Sequence, residues 1–129
     1  MEKVIYLIVL SFLLSCQSST SAGEVSLGED FEMEFGQNVT IPQESLRIQF
    51  KDVLEDSRCP EGATCIWAGN AKIAILLNET EANLNTYLEP KQSRMSRYTV
   101  DLISVKPYPK VGVEVKKEDY VAKLRITKD

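Results

Sequence analysis

The chain has 129 residues, 43% of them hydrophobic, with 15 basic and 19 acidic side chains, a net charge of −4, three cysteines and no histidine. That length suits one domain of about 100–150 residues with its own core, and the acidic balance argues against nucleic acid as a partner. Without histidine there is no Ser-His-Asp triad, no Cys-His dyad and no histidine-ligated zinc or iron site, so the reading is of a non-catalytic protein with no cofactor.

Residues 1–15 come first. Met1-Glu2-Lys3 precedes an apolar run from Val4 to Leu14. A bilayer-spanning helix needs about 20 apolar residues, and this shorter run reads as the core of an export signal. Leu13-Leu14-Ser15-Cys16 closes it and resembles the lipobox of bacterial lipoproteins, with leucine at −3, a small residue at −1 and a cysteine that becomes the acylated first residue. The resemblance implies a palmitate-type anchor on Cys16 and contact with a lipid bilayer. Each buried CH₂ is worth about 0.8 kcal/mol, and two or three chains hold where one is marginal. The alternative is an ordinary secretory signal cut after Ala22 or Gly23, with Cys16 discarded. Residues 16–23 are otherwise small and polar, as a flexible tether should be. Gln17 is not the aspartate that marks inner-membrane retention in some bacteria, which favours the outer membrane. Under either cleavage Cys16 is lost as a pairing partner, and Cys59 and Cys65 remain.

Residues 24–129 read as a single all-β domain. Phe31, Met33 and Phe35 alternate with Glu32 and Glu34, and Gly36-Gln37-Asn38 turns the chain into Val39-Thr40-Ile41. Leu46, Ile48 and Phe50 alternate with polar residues in a strand continuing to Val53. Ala71, Ile73, Ile75 and Leu77 form the inward set of a long strand, and Leu84, Thr86 and Leu88 a weaker one. Tyr98, Val100 and Leu102 begin a strand whose alternation changes phase through Ile103 and Val105, as a bulge would cause. Lys106-Pro107-Tyr108-Pro109 ends it, because proline cannot donate to a ladder. Tyr120, Ala122, Leu124 and Ile126 make the last strand. No window sustains helical spacing. About seven or eight strands in a chain of this size predict a β-sandwich, immunoglobulin-like or similar, with a small barrel as the alternative.

One segment is dense in chemistry. Asp56-Ser57-Arg58-Cys59-Pro60-Glu61-Gly62-Ala63-Thr64-Cys65-Ile66-Trp67-Ala68-Gly69 holds both remaining cysteines and the sole tryptophan. Pro60 and Gly62 let the chain double back between the cysteines, and an oxidising envelope would join them. Closing so short a loop stabilises by roughly 2 kcal/mol on the chain-entropy model. Trp67 is expected to pack on the disulfide or cap the sandwich, with its N–H turned to a partner. A buried ring would make Trp67→Ala lose about 3 kcal/mol or more; an exposed ring would mark a contact. Gly69 is expected to supply a positive φ or a close approach. Asp56 and Arg58 are expected to bond the backbone of the loop they flank. The Cys-x₅-Cys spacing between strands is not the Cys-x-x-Cys of a thiol-disulfide enzyme, and the nearby Asp52, Glu55, Asp56 and Glu61 do not have calcium-loop spacing.

Asp56 to Gly69, with Phe50-Lys51-Asp52-Val53-Leu54-Glu55 before it and Asn70-Ala71 after it, resembles the D-S-R-C-P-x₄-C-x-W-A-G signature of an uncharacterised family of small bacterial envelope proteins and lipoproteins. The resemblance implies a small exported β-domain and carries no catalytic residues with it. The functional expectation is a membrane-anchored envelope lipoprotein serving as a binding or accessory module, its partner an envelope protein or glycan. The alternative is an inhibitor of an envelope protease or other envelope enzyme, with the Cys59–Cys65 loop as its wedge. Asp56, Arg58, Pro60, Trp67 and Gly69, together with Tyr108 in the Pro/Lys-rich connection, are the candidate contacts.

Overall fold

A computed structural model of the chain describes residues 25–129. The export signal at 1–15, Cys16 and the tether at 16–23 lie outside the described residues. Eight strands follow in order: β1 (Asp30–Glu34), β2 (Asn38–Ile41), β3 (Leu46–Asp56), β4 (Ala71–Leu77), β5 (Thr80–Asn85), β6 (Gln92–Met95), β7 (Tyr98–Lys106) and β8 (Val121–Lys128). They form two antiparallel four-stranded sheets, β2-β3-β4-β5 and β1-β8-β7-β6, which make the expected sandwich. Strands adjacent in sequence are adjacent in a sheet except where the chain passes between sheets, at β1/β2 and β5/β6. The path is an up-and-down meander folded in two, not the Greek key of an immunoglobulin domain, and its ladder is not closed into a barrel. At the first crossing, Phe35 N–H donates to the Tyr120 carbonyl beside one sheet and Gly36 N–H to the Phe50 carbonyl of the other, both at 2.9 Å.

The core lies between the sheets. Met33, Val39, Ile41, Ile48, Phe50, Ile73, Ile75, Leu84, Val100, Leu124 and Ile126 are buried there, and Phe35 meets Phe50 edge-on with ring centroids 5.7 Å apart. Branched and aromatic residues at alternate positions fill one face of each pleated sheet and leave charges on the other. The phase change in β7 is a register shift against β8 between Leu102 and Ser104. It turns Ile103 outward while Leu102 and Val105 both stay buried.

Three strands depart from the alternation. β3 runs past Val53 to Asp56, its pattern obscured by two register shifts against β4. The expected strand through Leu84, Thr86 and Leu88 is β5 and stops at Asn85; Thr86 and Leu88 belong to the following loop, where buried asparagine side chains redirect the backbone. β6 has the sequence Gln-Ser-Arg-Met, without an apolar alternation, and is a short edge strand.

Strand direction sorts the connections into two poles. Asp56 pairs with Ala71, Lys72 with Asn85, and Lys106 and Glu34 both lie opposite Val121. The long loops 57–70, 86–91 and 107–120 therefore gather at one end, the loop pole. The opposite pole holds the tight turns at 42–45, 78–79 and 96–97. It also holds the start of β1, where Asp30 pairs with Arg125 and Gly28 N–H donates to the Ile126 carbonyl at 2.8 Å. There Glu44 accepts from Tyr98 Oη at 2.6 Å and Lys128 Nζ at 2.7 Å, tying the β2–β3 turn to the other sheet.

Candidate interaction surface

The loop pole is built on a buried arginine. Arg58 follows the end of β3 and is 8% exposed. Its guanidinium forks onto the Asp56 carboxylate, Nε to Oδ1 at 2.8 Å and Nη2 to Oδ2 at 2.7 Å. The other edge donates to the Val105 carbonyl at 2.6 Å and the Pro107 carbonyl at 3.0 Å, and the Tyr108 ring lies 5.1 Å away. Asp56 also accepts from Tyr120 Oη at 2.8 Å. The pair thus joins the end of β3 in one sheet to the end of β7 and the start of β8 in the other. The sequence reading placed these bonds within the flanking loop. Asp56 does accept the Arg58 backbone N–H, at 3.4 Å, but the guanidinium reaches across to the other sheet, because burial leaves unpaired carbonyls there that need donors.

This geometry shifts two protons. Burial alone would raise the Asp56 carboxyl, but the hydrogen bonds from Arg58 and Tyr120 outweigh it and hold Asp56 below the usual aspartate value. Its stabilising contribution is present above that usual value and is lost as pH falls through the depressed folded one. Burial, and then the Asp56 bond, push the Tyr120 phenol up to about 12. With an ordinary tyrosine near 10, Tyr120 contributes fully below about pH 10, and the contribution is lost as pH rises through about 12. An ultraviolet titration of the folded protein should show a phenol ionising near pH 12, brought down by Asp56→Asn. Ionisation of every phenol in one step at about pH 10 would contradict the clamp.

Beside the clamp lies a polar network that the sequence did not reveal as one. Asn70 and Asn85 are buried. Asn70 Nδ2 donates to Asn85 Oδ1 at 2.9 Å, and Asn70 Oδ1 accepts the backbone N–H groups of Tyr87 at 3.0 Å and Leu88 at 3.2 Å. Asn85 Nδ2 donates to the Pro90 carbonyl at 3.1 Å. Ser57 Oγ donates to the Asn70 carbonyl and accepts its N–H, each at 3.1 Å. Loops 57–70 and 86–91 are thereby held to each other. Asn70 directly follows the motif, and that position was its only signal. Gly69 meets both expectations: its φ is +70°, and a Cβ there would lie 2.6 Å from Arg58 Cα and the Ser57 carbonyl oxygen.

The disulfide joins Cys59 and Cys65, with Cα atoms 5.9 Å apart. Pro60 accepts from Ala63 N–H at 3.1 Å, closing a turn inside the loop. Glu61 exchanges backbone bonds with Pro109 at 2.9 Å and Val111 at 3.1 Å, so the disulfide loop is zipped to the 107–120 loop that carries the half-exposed Tyr108. Of the acidic residues nearby, Asp52 pairs with Lys117 at 2.8 Å, Asp56 with Arg58, and Glu61 lies 4.0 Å from Lys110. Glu55 lies opposite Lys72 in the β3–β4 register but makes no ion pair within 4 Å among the described residues.

Trp67 departs from its expected packing. Its N–H finds the expected hydrogen-bond partner, the Ser57 carbonyl at 3.0 Å, but its ring is 58% exposed. Ile66 beside it is 99% exposed, and Tyr87 and Leu88 are more than half exposed. Trp67, Tyr87 and Leu88 wall a shallow cleft of about 280 Å³, floored by Ser57, Gly69 and Asn70 and rimmed by Glu55. The bond to the Ser57 carbonyl fixes the indole edge on the main chain of its own loop and leaves the ring at the surface. Trp67→Ala should therefore lower stability by about 1 kcal/mol, the share of one partly exposed hydrogen bond, and not the 3 kcal/mol or so of a buried ring; denaturant titration checks this. No protein-family model, curated protein or solved structure matches the chain.

Proposed function

We propose that the chain is a lipid-anchored protein of the bacterial cell envelope, favouring the outer membrane, and that its sandwich is a non-catalytic binding module whose partner meets the loop pole. The lipobox-like Leu13-Leu14-Ser15-Cys16 and the resemblance of Asp56–Gly69 to an envelope-protein signature support the anchoring. The observation that carries the binding role is the polarity of the domain. Ile66, Trp67, Tyr87 and Leu88 are exposed at the pole opposite the start of β1. A tether leading into Val25 from an acylated Cys16 would point them away from the bilayer. Exposed aromatic and aliphatic side chains on loops held by a disulfide and a buried polar network make a surface that loses little entropy on binding.

Two measurements test this. Radiolabelled palmitate should enter the wild type and not Cys16→Ala; equal labelling of both would remove the anchor. Trp67 is the sole tryptophan, so its fluorescence reports the pole directly. In vesicles bearing the anchored protein, iodide should quench it and brominated lipids should not, and the reverse would place the loop pole against the membrane. The fully exposed Ile66, directly after the disulfide-closed loop, favours a second reading, inhibition of an envelope protease. That reading requires envelope-fraction proteolysis to fall on adding the protein and to recover with Ile66→Asp.

A further inference from the structure

From the walls of the Trp67 cleft we infer that its occupant is a protein segment presenting a large apolar side chain next to a lysine or arginine. The inference rests on the binding role proposed above and names the partner's chemistry. The cleft is about 280 Å³, enough for one large side chain rather than a folded element. Its walls are the exposed faces of Trp67, Tyr87 and Leu88, and the aliphatic Ile66 stands fully exposed on the same loop.

The polar groups decide between a protein and a glycan. A sugar stacked on Trp67 would need donors and acceptors for its hydroxyls, and those within the cleft are turned into the fold. Trp67 N–H is bonded to the Ser57 carbonyl. Ser57 Oγ is bonded both ways to the Asn70 backbone. Asn70 Oδ1 already accepts two N–H groups, and its Nδ2 donates to Asn85. A saccharide would find only the Glu55 carboxylate as a free polar group in the lining, whereas an aliphatic or aromatic side chain asks for none. The one charged group in the lining is the Glu55 carboxylate, which makes no ion pair within 4 Å among the described residues, although Lys72 lies opposite it in the β3–β4 register and Lys91 Nζ stands 5.9 Å from the Tyr87 ring, whereas Asp52, Asp56 and Glu61 each have a close cation. A partner's basic group beside its apolar anchor complements that charge and fixes which way the segment lies.

The test pans a phage-displayed random peptide library against the folded, purified mature chain. The expected result is a consensus of a Trp, Phe, Leu or Ile adjacent to Lys or Arg. A synthetic peptide of that consensus should bind more than tenfold more weakly to Trp67→Ala and to Leu88→Ser, and unchanged to Arg47→Ala at the opposite pole. Glu55→Gln should weaken it several-fold and shift a repeat selection away from basic residues. Thermal midpoints near wild type for Trp67→Ala and Leu88→Ser would show that these variants fold. No enrichment, a consensus indifferent to Trp67, or one without a basic residue overturns the inference. So does Trp67-dependent binding of peptidoglycan fragments or other oligosaccharides in place of peptide. The palmitate and quenching measurements are independent of the peptide, so failure of the anchored, outward-facing reading is distinguishable from failure of this inference.

Discussion

Arg58→Ala should destabilise the domain by about 3–5 kcal/mol, the range for removing one partner of a buried ion pair. Side-chain exposure at the Arg58–Asp56 pair is 7% and 12%. The variant would strand a buried carboxylate and leave the Val105 and Pro107 carbonyls without their donors. A domain of this size is stable by only about 5–15 kcal/mol, so the loss would be visible as a large drop in denaturant midpoint. Arg58→Lys separates charge from geometry. A lysine keeps the positive charge but cannot bond the carboxylate through two parallel N–H groups and also reach two carbonyls, so it should recover only part of the loss. A midpoint for Arg58→Ala close to wild type would mean that the two sheets are held at the loop pole by packing alone.

Gly69→Ala should cost about 3 kcal/mol or more, because left-handed backbone strain and a steric clash add at one position. The atoms a Cβ would strike, Arg58 Cα and Ser57 O at 2.6 Å and Cys59 N at 2.9 Å, are all main chain, so no side chain can swing aside. Gly112→Ala is the control. Its φ is +75° but nothing lies within 4 Å of the added atom, so it should show the backbone strain alone, about 1 kcal/mol. Equal losses at the two glycines, measured by denaturant titration, would mean that the 57–70 loop yields and does not press on the Arg58 backbone.

Both variants concern residues that stood out in the sequence, yet what they do was only half legible. Gly69 was read in full, since a glycine leading from a turn into a strand has few other uses. Arg58 was read as bonding its own loop because sequence shows near neighbours, and its two carbonyl partners lie 47 and 49 residues away. Asn70 and Asn85 gave no pattern, because a buried amide satisfied by a distant loop looks in sequence like any turn asparagine. Trp67, two residues after Cys65, was expected to pack on the disulfide or cap the sandwich, and instead its N–H bonds the main chain of its own loop while the ring stays exposed.

The sequence by itself determined the all-β class, most strand positions, the β7 phase change and the cysteine pair joined in the disulfide. Each of these is local: inward and outward alternation is a property of the pleat, and two cysteines six positions apart with proline and glycine between them need only a turn. Tertiary structure alone decided that the long loops share a pole, that this pole lies opposite the start of β1, that Arg58 goes in and Trp67 stays out. Those outcomes depend on strand direction and pairing register across two sheets, which couple residues far apart in the chain through contacts that no local spacing encodes.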